Sequence, residues 1–156
     1  MILKFIIQMI ILCIFAANLY AATTAVDDLF TAIKLKNVAK VKGLIAAKVD
    51  VNEANEKNFT PLYRAVVEGN SEIVKILLDA GANPKGGKDN TFLPLIAAIV
   101  NFTKNIDGPE IFELVLSRGA DPKQPDKYNV TALNLAINTE QLELSLIHIS
   151  EPTRPY

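Results

Sequence analysis

Apolar and polar positions along this chain fall into paired helical stretches. Leu62, Ala65 and Val66 line one face after Thr60-Pro61, and Ile73, Ile76 and Leu77 line the face of a second stretch. Thr60 is placed to cap free backbone N–H groups, and Pro61 sits in the first turn, where its missing N–H costs nothing. Gly69-Asn70-Ser71 interrupts the pattern, and Glu72 follows in a new first turn, where its charge suits the helix dipole. Gly81 then supplies the left-handed position that closes the second helix. The pattern predicts helix, break, helix, turn. It recurs as Leu93-Pro94-Leu95-Ile96-Ala97-Ala98, then Ile111-Phe112-Glu113-Leu114-Val115-Leu116, then Gly119-Ala120-Asp121-Pro122. The opening proline returns after about 33 residues, but the closing glycine returns about five residues later than that, a period that signals stacked repeats. The extra residues fall around Phe102 to Gly108, between the two helices, and read as a tolerated surface loop or, alternatively, a functional protrusion.

The unit resembles the ankyrin repeat, whose signature is a Thr-Pro-Leu-His-like opening, an alanine, a glycine break, a Val/Leu-rich second helix and Gly-Ala-Asp near the end. The resemblance runs from about Asp27 to Glu143 and implies an all-α solenoid of stacked helix-turn-helix units. Four copies are traced, at approximately 27–52, 53–84, 85–122 and an incomplete 123–143. The first lacks Thr-Pro but keeps Leu29, Ala32, Val41, Leu44 and Ile45. Its Lys48 stands where the family has glycine, a left-handed position costing lysine on the order of 1 kcal/mol. With Lys34, Lys36, Lys40 and Lys42 it suits an amino-terminal capping repeat with one solvated face. In the fourth copy Ala132 replaces proline in Thr131-Ala132-Leu133-Asn134-Leu135-Ala136, and a second helix is expected to begin at Glu143.

The two ends read differently. Lys4 precedes an almost unbroken apolar run, Phe5 to Ala16, and Leu19-Tyr20-Ala21 ends in a small residue, so residues 1–21 read as a signal-peptide helix. The run is shorter than the roughly 20 residues of a bilayer span. The expectation is an exported protein, periplasmic or secreted, and abundant Ile, Lys and Asn hint at a bacterial source. The alternative is an uncleaved leader that tethers a structural scaffold to a membrane. Cys13, the only cysteine, follows Leu12 and not a small residue, which argues against a lipid anchor. At the other end, Leu144 to Tyr156 resembles the translated end of a transposase adapter used in short-read DNA library preparation. The repeat stops mid-unit there, and Pro152 and Pro155 prevent a long closing helix. The expectation is a non-native tail at 144–156 on an array cut inside its fourth unit, with an apolar helix face left uncovered and stability and solubility reduced.

Set aside those ends, and neither cysteine nor histidine remains, since His148 lies in the tail. Histidine proton transfer, cysteine or serine–histidine attack and a Cys/His zinc site cannot then be built. Lys85-Gly86-Gly87-Lys88 lacks the spacing of a phosphate loop. Asp27-Asp28, Glu53 with Glu56, and Glu110 with Glu113 leave a carboxylate-dependent hydrolase as a third possibility. Their places in first turns and loops favour capping and solvation instead. The chain's net charge of −1 exerts no strong pull on nucleic acid. No catalytic residue, cofactor, metal or small-molecule substrate is expected, and a membrane contact only if the leader stays.

The resemblance implies finger loops at 53–59, 85–92 and 123–130 which, with the exposed face of each first helix, line a concave surface. Asn58 and Asn129 fall where the family uses glycine and tolerate the left-handed conformation, while Thr91 is a weaker fit at the equivalent place. Phe59, Phe92 and Tyr128 lie near the finger tips, Lys88 lies on the second finger, and Tyr63, Ile96 and Asn134 replace the family's histidine. Aromatic and arginine side chains dominate interface energetics, which adds Arg64. Tyr63 and Ile96 are also candidates for plain packing between repeats. The functional expectation is a non-catalytic module that binds a protein partner through these residues.

Overall fold

A computed structural model describes residues 8–9, 11–12, 25–102, 104 and 106–138. Most of the leader, the helix expected from Glu143 and the tail lie outside these described residues. Seven helices run between residues 25 and 138: α1 (25–34), α2 (Val38–Ala46), α3 (Pro61–Glu68), α4 (Ser71–Asp79), α5 (Pro94–Asn101), α6 (Gly108–Ser117) and α7 (Ala132–Asn138). Among the described residues the extended pairing is a single bridge, Pro125 with Thr131. Units 53–84 and 85–122 each contribute one helix to each of two layers. Helices α3, α5 and α7 pack in sequence as the inner layer, α2, α4 and α6 as the outer layer, and paired helices pack across.

The helix ends follow from their residues. The Tyr63 N–H donates to Thr60 Oγ1 (3.2 Å), and Gly69 adopts φ 66° to end α3. Asn70 Oδ1 then accepts from the Ile73 N–H (2.9 Å) and starts α4. Three second helices close alike, on left-handed Lys48 (φ 61°), Gly81 (φ 89°) and Gly119 (φ 95°), each followed by an N–H reaching back to the preceding turn: Val49 to Leu44, Ala82 to Leu77, Ala120 to Val115. Lys48 therefore does hold the strained conformation that glycine would take freely.

One continuous core joins the units. Leu29, Ala32, Ile33 and Val41 fill the first interface; Leu62, Val66, Ile73, Val74 and Leu77 the next; Leu95, Ala98, Ile111, Phe112 and Val115 the third; Ala132 and Ala136 extend it. Lys34, Lys36, Lys40 and Lys42 are exposed on the first unit. Lys40 pairs with Asp28 (3.1 Å) and Lys42 with Glu72 (3.0 Å), exposed ion pairs of about 0–1 kcal/mol each.

The insertion between α5 and α6 is tied down. Phe102 packs edge-on against Phe112, ring centroids 5.8 Å apart, and Asp107 Oδ2 accepts from the Ser71 N–H at the start of α4 (3.2 Å). Gly108 lies so close to Phe102 that a Cβ would stand 2.4 Å from its carbonyl oxygen.

One local expectation is corrected. In the second finger the left-handed asparagine is Asn90 (φ 53°), and Thr91 is not among the positive-φ residues. Leu93, not threonine, precedes Pro94, so three residues separate the left-handed asparagine from the proline where two separate Asn58 from Pro61. The Lys85-to-Lys88 stretch is a turn built on Gly86 (φ 89°), whose missing Cβ lets it press on the Phe92 carbonyl and Pro94.

Candidate functional site

The fingers are shaped by short local hydrogen bonds. In the first, Asn55 Oδ1 accepts from the N–H groups of Lys57 (3.0 Å) and Phe59 (3.1 Å). In the third, Asp126 Oδ1 does the same for Tyr128 and Val130 (2.8 Å each). Asn58 (φ 63°) and Asn129 (φ 62°) turn the two tips in the left-handed conformation that asparagine tolerates.

Each finger is also bonded to the next. The Asn58 amide donates to Asp89, and the Gln124 amide donates to Asn90 Oδ1 (2.9 Å) and the Lys85 carbonyl (3.2 Å). Deeper in, Asn52 accepts from the Asn83 N–H (2.7 Å) and donates to the Gly81 carbonyl (3.0 Å). The row of loops is thereby held as one surface. Hydrogen bonds from the Thr91 hydroxyl and N–H, and then from Asn58, hold the Asp89 carboxyl below its ordinary value.

Three of the predicted residues converge. Phe59 stacks on Tyr63 (5.3 Å) and meets Phe92 edge-on (4.5 Å), and Phe92 lies 5.2 Å from Tyr63. All three are half-buried and Tyr63 packs against the core, so the cluster offers ring surface to solvent. Burial pushes the Tyr63 phenol up, opposed by the neighbouring Arg64 charge. Tyr128, 73% exposed, is linked to the cluster by Lys127, whose Nζ lies 5.8 Å from the Phe92 centroid and 5.0 Å from that of Tyr128.

The remaining candidates scatter around this cluster. Ile96 packs half-buried against the core, and Asn134 is exposed at the equivalent place on α7. Arg64 is held by Glu68 one turn on and borders a groove of 360 Å³ with Asp27, Phe30, Thr31, Lys34, Lys57 and Phe59. Lys88 does not join the aromatic rings; it lines a second groove, of 560 Å³, with Asn52, Asn58 and Asn83. Glu110 and Glu113 are exposed on α6, and Glu53 and Glu56 are exposed on the first finger. Among the described residues no group of three His, Cys, Asp or Glu could hold a metal, and no helix is long and apolar enough to cross a membrane.

Sequence reasoning missed Lys127, Gln124 and Asp89. Lys127 was detectable in principle as a cation beside a tip aromatic. The finger-to-finger bonds were not, since they join residues more than thirty apart.

Comparison with known proteins places these features. A family model described as "Ankyrin repeats (3 copies)" matches residues 29–126. The chain is 32% identical over 123 residues to zygote-specific protein 3 of Chlamydomonas reinhardtii, covering 78% of this chain and 32% of that protein. It is 32% identical over 91 residues to "Ankyrin repeat, SAM and basic leucine zipper domain-containing protein 1" of Nomascus leucogenys, covering 58% of the chain and 19% of that protein. It is 32% identical over 102 residues to human BCL-6 corepressor-like protein 1, covering 65% of the chain and 5% of that protein. The matched stretches thus span a third or less of these relatives.

Proposed function

The chain belongs to the ankyrin-repeat family, and from that premise we propose that it is a non-catalytic binding module that holds a protein partner on its finger row and inner helices. Ankyrin repeats generally serve protein interaction. The observation that carries the reading here is the half-exposed aromatic cluster of Phe59, Tyr63 and Phe92, with Tyr128 beside it. Such rings supply large rigid contact area at low entropic cost, and interface hot spots are enriched in them. The bonded finger row supports the same reading, because a pre-organised surface loses little entropy on binding.

We further place this module outside the cytoplasm, on the strength of the apolar leader. Mass measurement of the mature amino terminus tests that part: cleavage near Ala21 is expected, and an intact Met1 favours the tethered scaffold. For binding, a photo-crosslinking residue at Tyr128 is expected to capture one defined protein, with capture lost on Phe92→Ala. Crosslinking spread evenly over many proteins and indifferent to Phe92→Ala would falsify the inner-face reading.

A further inference from the structure

The second and third fingers carry lysines that form no ion pair among the described residues. Lys85, Lys88, Lys123 and Lys127 are all exposed, and none has an ion-pair partner among the described residues. The two acids on the same fingers are engaged locally. Asp89 accepts from Asn58 and Thr91, and Asp126 accepts from Tyr128 and Val130. The other end of the inner face is different: Arg64 is paired with Glu68, and Asp27 and Glu56 offset Lys34 and Lys57 around the first groove. Fingers 85–92 and 123–130, which present Phe92 and Tyr128, therefore carry four lysines against two aspartates, an excess of positive charge in a chain whose net charge is −1.

We propose that fingers 85–92 and 123–130 take an acidic, extended segment of a protein partner, with an apolar side chain laid on the Phe92 and Tyr128 rings and carboxylates on Lys127 and the other lysines of the same fingers. The proposal rests on the reading of the finger row and inner face as a protein-binding surface, and it specifies the partner's chemistry. Lys127 is central to it. Its ammonium lies against both rings, so a carboxylate that pairs with Lys127 Nζ brings its neighbouring apolar residue onto the same rings. A cationic segment would instead have to displace Lys127 from the rings and face three more lysines, a like-charge arrangement that interfaces avoid.

Fluorescence anisotropy of the full chain with labelled synthetic peptides tests this. The probes are a twelve-residue peptide alternating Glu with Leu and Phe, the same peptide with Lys for Glu, the same with Ser for Leu and Phe, and single-stranded oligothymidylate. Binding is expected for the acidic apolar peptide alone, weakening about tenfold with Lys123→Glu and Lys127→Glu combined and again with Tyr128→Ala. Circular dichroism of these surface variants should match the parent. Preference for the lysine peptide, still sensitive to Tyr128→Ala, overturns the acidic partner and leaves the inner-face reading standing. Equal binding of the serine peptide or of oligothymidylate, insensitive to Tyr128→Ala, shows a plain polyanion effect and overturns the proposal. Peptide binding unaffected by Tyr128→Ala and Phe92→Ala together overturns the inner-face reading itself, and no binding of the acidic peptide at millimolar concentration overturns the proposal.

Discussion

Units 53–84 and 85–122 run the same helix-turn-helix pattern with different means of holding it. The earlier unit caps itself: Thr60 starts α3, Gly69 ends it, and Asn70 starts α4, all within eleven residues. In the later one α5 begins at Leu93 with no side-chain cap, no left-handed residue ends it, and Asp107 caps nothing in its own helix. That unit is held by packing. Leu93 is buried, Phe102 closes on Phe112, Gly108 tucks under the Phe102 carbonyl, and Asp107 reaches back to the start of α4. The difference teaches that a repeat can shed its local signals when its neighbours supply the constraints, as long as each lost cap is replaced by burial or by a bond across the interface.

The sharpest way to break this contrast is in the outer core. Phe112→Ala should cost about 3–5 kcal/mol, whereas Val74→Ala at the equivalent place should cost about 2 kcal/mol. Urea unfolding measures both; equal costs would mean that the later unit does not depend on its aromatic pair. Next comes Gly108→Ala, expected to cost about 1–3 kcal/mol because the new methyl overlaps the Phe102 carbonyl. Gly69→Ala, at a left-handed position (φ 66°), should cost about 1–2 kcal/mol.

Caps give smaller effects. Thr60→Ala should lower stability by about 1 kcal/mol. Asp107→Asn should remove about 0.3–1 kcal/mol and speed amide exchange at Ser71, in the unit that was not mutated. Exchange confined to residues 85–122 would show the Asp107 bond to be idle. The mildest probe is acid. The folded Asp89 carboxyl sits below its ordinary value, so its contribution is present above that value and fades as pH falls through the lowered one. The Asn58 side-chain amide, followed by NMR below about pH 4, should lose its bonded shift. Asn129, whose N–H donates to the Asp126 backbone carbonyl and which bonds to no carboxylate among the described residues, should stay unchanged by comparison.

Much of the fold was legible because it is written in short-range terms. Apolar spacing, Thr60-Pro61, Gly81 and Gly119 each act within a turn or two, and each stands where expected. The left-handed asparagine of the second finger was misplaced by one residue because the loop's length, not its composition, sets which residue turns. The aromatic rings were legible as residue types at finger tips, but their meeting was not. Phe59 and Phe92 are on different units and touch only because stacking superposes the fingers.

The sequence by itself determined an all-α repeat array and, at Thr60-Pro61, Asn58, Gly81, Gly119 and Asn129, the residues that open, close and turn it, since those depend on backbone conformation and nearest neighbours. Only the tertiary structure decided that Asp107 of the insertion reaches back to α4, that Lys88 lines a groove apart from the aromatic rings, and that Lys127 joins Tyr128 to Phe92. These are contacts between units. Their geometry comes from how one repeat rotates onto the next, a quantity to which no single stretch of chain contributes alone.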